Sequence, residues 1–390
     1  MMQPQVQVTQ AGANGAARRV TVANPLYQYN FTNQAYRTQY FVGFQQLAPS
    51  TLRQPLDTVT SQDSVADANM RNTYAARRQN TYNLFSIPTF REFSNTAFSA
   101  NGTPNTWTSV ESIHNQVHAS IGGTTPNQNG HMSTVDYSAF DPIFWLHHCN
   151  VDRLIAMYQA SHPGQVVTPQ AATRVFAERR LGLNDTIDTP LWPFRKSNGQ
   201  YFTSRDVSTA GSVWGLGYAY PEIPAAYSTR SSDQLRTYVI GRVNSLYSPA
   251  AIRTNTKRAE QTKRREWLCH FVFNPAEVGS VAELDIYLGR SSAGTATAVN
   301  STGDYYVGSG SALGKSKYDE SDKAMLVTAT VPLTVALAEE GVDSTDVPAV
   351  VEYLASNLKW KMKKVSFCIT LTLRATVANI LSRVIKANTT

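Results

Sequence analysis

The sequence predicts an α + β multidomain chain, a helical first domain followed by a C-terminal β-sandwich. Three observations carry this. Apolar residues recur at helical spacing between residues 108 and 161, where Val110, Ile113, Val117 and Ile121 mark one face and Phe144, Leu146, Val151, Leu154 and Ile155 another. After residue 266 the text turns to alternating, β-branched runs such as WLCHFVF, AELDIYLG and KWKMKK. Between them lies NTKRAEQTKRRE, residues 255–266, polar and basic with nothing to bury. The domain reading is therefore a disordered N-terminus over 1–19, a first domain over 20–250, a basic linker over 251–265, a β-sandwich over 266–377 and a tail over 378–390.

Each element has its own reason. Residues 1–19 are polar, without a sustained apolar pattern. NPLYQYNF, from Asn24, reads as extended or irregular chain, and residues 50–97 hold short helical candidates. TSVESIHNQVHASIG reads as a helix capped by Thr108 or Ser109 and ended by Gly122-Gly123. A Gly-, Pro- and Asn-bearing loop follows. A second helix opens at Asp141-Pro142, an N-cap with Pro at the first helical position, and His162-Pro163-Gly164 stops it. Residues 165–228 read as loop with short elements, and SSDQLRTYVIGRVNSLY as a further helix. In the second domain KAMLVTATVPLTVAL reads as a strand and VPAVVEYLASNL as a short helix. In KWKMKK, Lys alternates with Trp360 and Met362, as on a half-buried strand.

Composition excludes some classes. The 390 residues carry a net charge of +7, basic but too dispersed to read as a nucleic-acid footprint, and no nucleic-acid motif accompanies it. Three cysteines give no disulfide framework. No apolar leader opens the chain and no uncharged apolar run approaches a membrane span, so the expectation is an intracellular, cytoplasmic location without membrane insertion.

Five of the seven histidines lie between residues 114 and 148. His114 and His118 are four apart on a predicted helix, so both imidazoles project from one face. Such a pair reads as an ordinary polar face or as half of a metal site. His148 stands in an apolar helix, where a buried imidazole needs partners for both ring nitrogens. Three imidazoles from two helices point to an all-nitrogen copper site, with zinc as the other reading. Cys149 reads as a buried thiol, and His131, His162 and His270 as structural or surface residues.

ESIHNQVHASIGG followed by GHMSTVDYSAFDPIFWLHHCNVDRL resembles the copper B half of the type 3 copper proteins, above all the fungal tyrosinases. NPLYQYNF resembles that family's segment between the two copper regions. Tyr218-Ala219-Tyr220 resembles the tyrosine motif that closes its catalytic core, and the β domain resembles its C-terminal lid domain. The resemblance implies a partial bundle of the type 3 copper core, with His114, His118 and His148 as copper ligands and His147 behind them. It implies that Glu111 and Asn115 hold a basic water, that Phe144 and Val135 border the substrate path, and that Asp152, Arg153, Tyr218 and Tyr220 are scaffold. The implied activity is ortho-hydroxylation of monophenols and oxidation of catechols to o-quinones with O2, a pigment-forming chemistry of the melanin type. The implied partners are O2 and phenolic small molecules. A catechol oxidase, a hemocyanin-like O2 carrier and a catalytically dead mono-copper or metal-free remnant share the same ligands.

The family's intact site holds two coppers. Residues 1–113 contain no histidine, so the copper A ligands have no counterpart. The expectation is a fragment, a late-starting gene model or a truncated product. Alone it would bind at most one copper, fold poorly in its first domain and oxidise little phenol. Lys257, Arg258, Lys263, Arg264 and Arg265 make the linker a candidate protease site.

Overall fold

The computed structural model describes residues 3–12, 15–96, 99–100, 103–104, 108–124, 129–171, 183–249, 266–274, 281–289, 303–314, 326–363, 372–377 and 380–386. The basic segment 251–265 lies outside the described residues.

The chain opens with an antiparallel hairpin, Gln5–Ala11 (β1) with Ala17–Ala23 (β2). This replaces the disorder expected over 1–19. Val6 faces Val22 and Val8 faces Val20 across the ladder, and such β-branched cross-strand pairs stabilise a two-stranded sheet. The polar residues between the valines hide that alternation in a composition count.

The helices of the first domain are Gln34–Tyr40 (α1), Phe44–Leu47 (α2), Asp63–Asn72 (α3), Tyr74–Leu84 (α4), Phe90–Ser94 (α5), Val110–Gly122 (α6), Pro142–Ser161 (α7), Ser212–Gly215 (α8) and Ser232–Tyr247 (α9). Small two-stranded pairs decorate them: Ser99–Ala100 (β3) with Thr103–Pro104 (β4), Gln170–Ala171 (β5) with Asn184–Asp185 (β6), and Pro190–Arg195 (β7) with Tyr201–Thr203 (β8). One core joins α7 to α9 through Ala156, Met157, Val239 and Val243. Another gathers Leu84, Phe93, Val110, Ile113, Leu154 and Tyr158, with the Phe93 and Tyr158 rings stacked 3.8 Å apart. These two cores hold α6 and α7, the histidine-bearing helices, at fixed separation.

The second domain is a two-sheet sandwich. Its strands are Trp267–Phe273 (β9), Val281–Leu288 (β10), Tyr305–Leu313 (β11), Val327–Pro332 (β12), Leu358–Lys363 (β13), Thr372–Val377 (β14) and Ile380–Lys386 (β15). One sheet runs β11-β10-β13 and the other β12-β9-β14-β15. Trp267, Phe271, Leu284, Ile286 and Val331 share the core between them. Two readings change here. TVAL does not extend the preceding strand but turns into a helix, Thr334–Glu339 (α10), after Pro332 ends the ladder. The expected tail contributes β15. VPAVVEYLASN forms the expected helix, Val347–Asn357 (α11), with Asp346 as N-cap.

The sandwich packs directly on the first domain. Asn80 donates to the Thr330 carbonyl at 2.9 Å, Gln116 on α6 donates to Ser309, and the Thr328 N–H reaches the Thr96 carbonyl at 3.0 Å. At Gly308 the approach is so close that an added Cβ would sit 2.6 Å from the Ala76 methyl. Among the described residues no helix is long and apolar enough to cross a membrane.

Candidate metal centre

The α6 helix begins where Ser109 accepts from the Ser112 N–H, and it ends at Gly123, whose φ of 97° suits glycine. At α7, Asp141 accepts from the Ile143 N–H at 3.0 Å and Pro142 occupies the first turn. These caps place His114 and His118 on one helix opposite His147 and His148 on the other.

The four rings form one cluster. Centroid separations from His114 are 4.4 Å to His118, 5.0 Å to His147 and 4.8 Å to His148. His114, His118 and His147 each offer a ring nitrogen within 4.8 Å of the others. The Nε2 atoms of His114 and His148 stand 3.1 Å apart. Two nitrogens on one tetrahedral ion, each about 2.0–2.1 Å from it, would be separated by about 3.3 Å. The structure therefore brings the three expected ligands and His147 into one group, with His147 as close to His114 and His118 as His148 is.

Hydrogen bonds choose the tautomers. His118 Nδ1 lies 2.6 Å from the Met132 carbonyl, so Nδ1 carries the proton and Nε2 the lone pair. His114 Nδ1 lies 2.9 Å from the Asn115 Oδ1, with the same consequence when the amide oxygen faces it. The buried Nε2 atoms of His118 and His147 have no protein partner. Orphaned buried acceptors facing one another fit a bound transition cation, since a metal satisfies them without a proton. Burial dominates the acid–base behaviour. It pulls His118 down to about 3, helped by repulsion from His114 and His148. It pulls His147 to about 2 and His148 to about 4, with His114 adding to both. Neutral imidazole is the form a metal requires.

Other expected residues fall around this group. Asn115 is buried and engaged with His114. The Glu111 carboxylate instead accepts from the Thr96 N–H at 2.7 Å and the Thr96 hydroxyl at 3.0 Å, so the two side chains have different partners. The Phe144 ring stacks on His148 at 3.9 Å and meets His118 edge-on at 6.0 Å. The Val135 N–H reaches the Gly314 carbonyl of the second domain at 3.3 Å. Asp152 accepts from the hydroxyls of both Tyr218 and Tyr220. Arg153 donates to Glu222 at 2.7 Å and to the Tyr247 hydroxyl at 2.9 Å, tying α7 to α9. Cys149 is exposed rather than buried, because its position on α7 faces away from both cores. A cavity of about 420 Å³ opens beside His114 and His147, lined also by Tyr74, Val117, Ile143 and Leu146.

Sequence reasoning missed Arg53, whose guanidinium grips Asp141 at 2.6 and 2.9 Å, and the Met132 carbonyl. A backbone oxygen leaves no side-chain pattern to read. Arg53 stands alone between Leu52 and Gln54, with no spacing to announce its partner 88 residues on.

The chain matches two family models: the common central domain of tyrosinase over residues 1–161 and the tyrosinase C-terminal domain over residues 266–369. It is 35% identical over 230 residues to a tyrosinase of Podospora anserina, covering 58% of this chain and 39% of that protein. It is 28% identical over 328 residues to polyphenol oxidase 3 of Agaricus bisporus, covering 78% of this chain and 54% of that protein. The chain thus spans about half or less of these relatives. Its fold matches that of recombinant mushroom tyrosinase with a TM-score of 0.78 at 22% identity, over 98% of this chain and 72% of that one.

Proposed function

Because the chain belongs to the tyrosinase family, with a central and a C-terminal domain of that family, we propose that it is the copper-B-bearing part of a tyrosinase-like copper oxidoreductase. The observation that supports this most is the four-imidazole cluster, in which the Nε2 of His118 is buried without a partner and those of His114 and His148 stand 3.1 Å apart. In this reading His114, His118 and His148 hold one copper through Nε2, and His147 lies against them. Copper, when bound, would supply O2 binding and take electrons from a phenolic substrate.

The chain's own groups prepare that site. Asn115 and the Met132 carbonyl hold the protons on Nδ1 of His114 and His118, which leaves Nε2 free. Phe144 presents an aromatic face beside His148 on which a phenol ring can rest. Val135 borders that approach. Both Thr96 contacts fall on Oε2 of Glu111, which leaves Oε1 to serve a substrate proton, and Thr96 is itself held by Thr328 of the second domain. In the whole protein the reaction is ortho-hydroxylation of monophenols and oxidation of catechols to o-quinones, leading to melanin-type pigment.

The remaining histidines, His131, His162 and His270, stand outside the cluster, so this chain supplies one copper set. Copper analysis and O2 uptake with catechol on the purified chain test the reading. The expected result is one copper per chain with little catechol oxidation. Robust diphenol oxidation would overturn the single-copper assignment. A chain that takes up no copper would favour the metal-free remnant.

A further inference from the structure

We propose that His131, which is outside the metal-binding cluster, is a positioning residue for it: its imidazole clamps a buried strap, residues 51–54, that ties together the two helices carrying the cluster and the 131–132 segment whose carbonyl orients His118. The proposal rests on the copper reading of the cluster.

The strap is unusual for a loop. Connecting segments normally run over the surface, because buried backbone must find partners. Here Thr51, Leu52 and Arg53 are 1%, 1% and 2% exposed. Their partners lie in the histidine-bearing segments. The Gln54 N–H reaches the Ile121 carbonyl at 3.1 Å and its side-chain amide reaches the Ser120 carbonyl at 3.0 Å, so Gln54 caps the C-terminal end of α6. Arg53 pairs with Asp141, the N-cap of α7. Leu52 donates its N–H to His131 Nδ1 at 3.1 Å and accepts the His131 N–H at 3.0 Å. Gln54 has a φ of +44°, and no other non-glycine residue among those described has a positive φ. Strain of that kind persists where the surroundings over-determine the backbone.

His131 joins the strap to the ligand shell. Met132 follows it directly and gives its carbonyl to His118 Nδ1. Moving residue 131 moves that carbonyl, and with it the orientation of His118. The side chain's chemistry fits this role. To accept from an amide N–H, Nδ1 must carry a lone pair, which puts the ring proton on Nε2. His131 Nε2 is buried without a partner, and the ring stacks on Phe31 at 5.3 Å and meets Phe41 at 6.0 Å. An aliphatic or phenyl side chain would fill that aromatic pocket without the cost of an orphaned N–H. What histidine adds is the acceptor for Leu52.

The test uses the full chain, metal-free and then with Cu(II) as probe. Long-range proton–nitrogen spectra of the metal-free chain should show His131 protonated on Nε2 and His118 on Nδ1. A His131 protonated on Nδ1 cannot accept from Leu52 and would overturn the proposal, even if every variant failed to fold. His131→Phe keeps the ring in its pocket and deletes the acceptor. It should weaken Cu(II) binding by about tenfold and leave His118 in a mixture of tautomers. His131→Gln, whose amide oxygen can accept from Leu52, should return affinity to within about threefold of the unsubstituted chain. An unchanged Cu(II) affinity and a single His118 tautomer in His131→Phe would sink the idea. If the unsubstituted chain binds no Cu(II), the copper reading fails, while the His118 tautomer in His131→Phe still decides whether the clamp exists.

Discussion

His118 donates from Nδ1 to a backbone carbonyl, so Nε2 is the atom left for a cation. The same logic holds at His114, where a side-chain amide replaces the carbonyl. Asn115→Ala should therefore free the His114 ring and weaken Cu(II) binding by about tenfold, read by competition with a chelator of known affinity. Unchanged affinity would mean that the amide does no orienting. Asp141 does two jobs, capping α7 and neutralising Arg53. Their side chains are 0% and 3% exposed, so Asp141→Ala leaves the buried guanidinium with only its longer, 3.7 Å ion pair to Asp63. Breaking such a pair costs about 3–5 kcal/mol, which urea denaturation would show as a lowered midpoint. A loss below about 1 kcal/mol would place the pair with exposed ion pairs instead.

At the scale of elements, the turn before His131 depends on a glycine. A Cβ on Gly130 would lie 2.2 Å from the Leu52 carbonyl and 2.9 Å from that of Gly122. Both contacts are to backbone, so neither can swing aside. Gly130→Ala should lower the thermal midpoint by several degrees and loosen His118 together with it, and a wild-type midpoint would refute the close packing. The helices also impose a pH dependence. Burial holds His118 and His131 down to about 3 and His147 to about 2. The unfolded chain binds protons below about pH 6.5 that the folded metal-free chain refuses. Stability is thus fully present above about pH 6.5 and is lost as pH falls toward about 3. Asp285 acts the other way: burial and Glu283 raise it to about 6, so it favours the folded state as pH falls through that value. Three imidazoles outweigh one carboxyl. The urea midpoint of the metal-free chain should fall between about pH 7 and about pH 5, and a constant or rising midpoint would contradict this assignment.

At the scale of the whole molecule, the sandwich is held to the helical domain by more than chain connectivity. Gly308 lets β11 approach Ala76, Gln116 on α6 holds Ser309, and Thr96 links Glu111 to Thr328. Trypsin cleavage at the basic residues 257–265 should therefore leave two fragments that co-elute on size-exclusion chromatography. Fragments that separate without denaturant would show that the linker, not the interface, holds the domains.

The sequence by itself determined the extents of α6 and α7, because Gly123, Asp141 and Pro142 act on their nearest neighbours, and it narrowed the α6 cap to Thr108 or Ser109, of which the structure uses Ser109. It also determined that His114 and His118 share a face, since helical spacing alone requires it, and that a β-rich domain follows the basic segment. The β1–β2 hairpin and the α10 helix were illegible, because pairing across a turn and a strand's end at Pro332 depend on what packs alongside. Tertiary structure alone decided the rest. It brought His147 as near the cluster as His148, turned Glu111 toward Thr96, and gave His118 its carbonyl. It also folded residues 51–54 beneath all three histidine-bearing segments. The strap's contacts with those segments join residues 65 or more positions apart, from Gln54 with Ala119 to Arg53 with Asp141, and no local periodicity encodes such a meeting. The physical reason is burial: once the strap's backbone leaves water it must bond to whatever the fold places beside it.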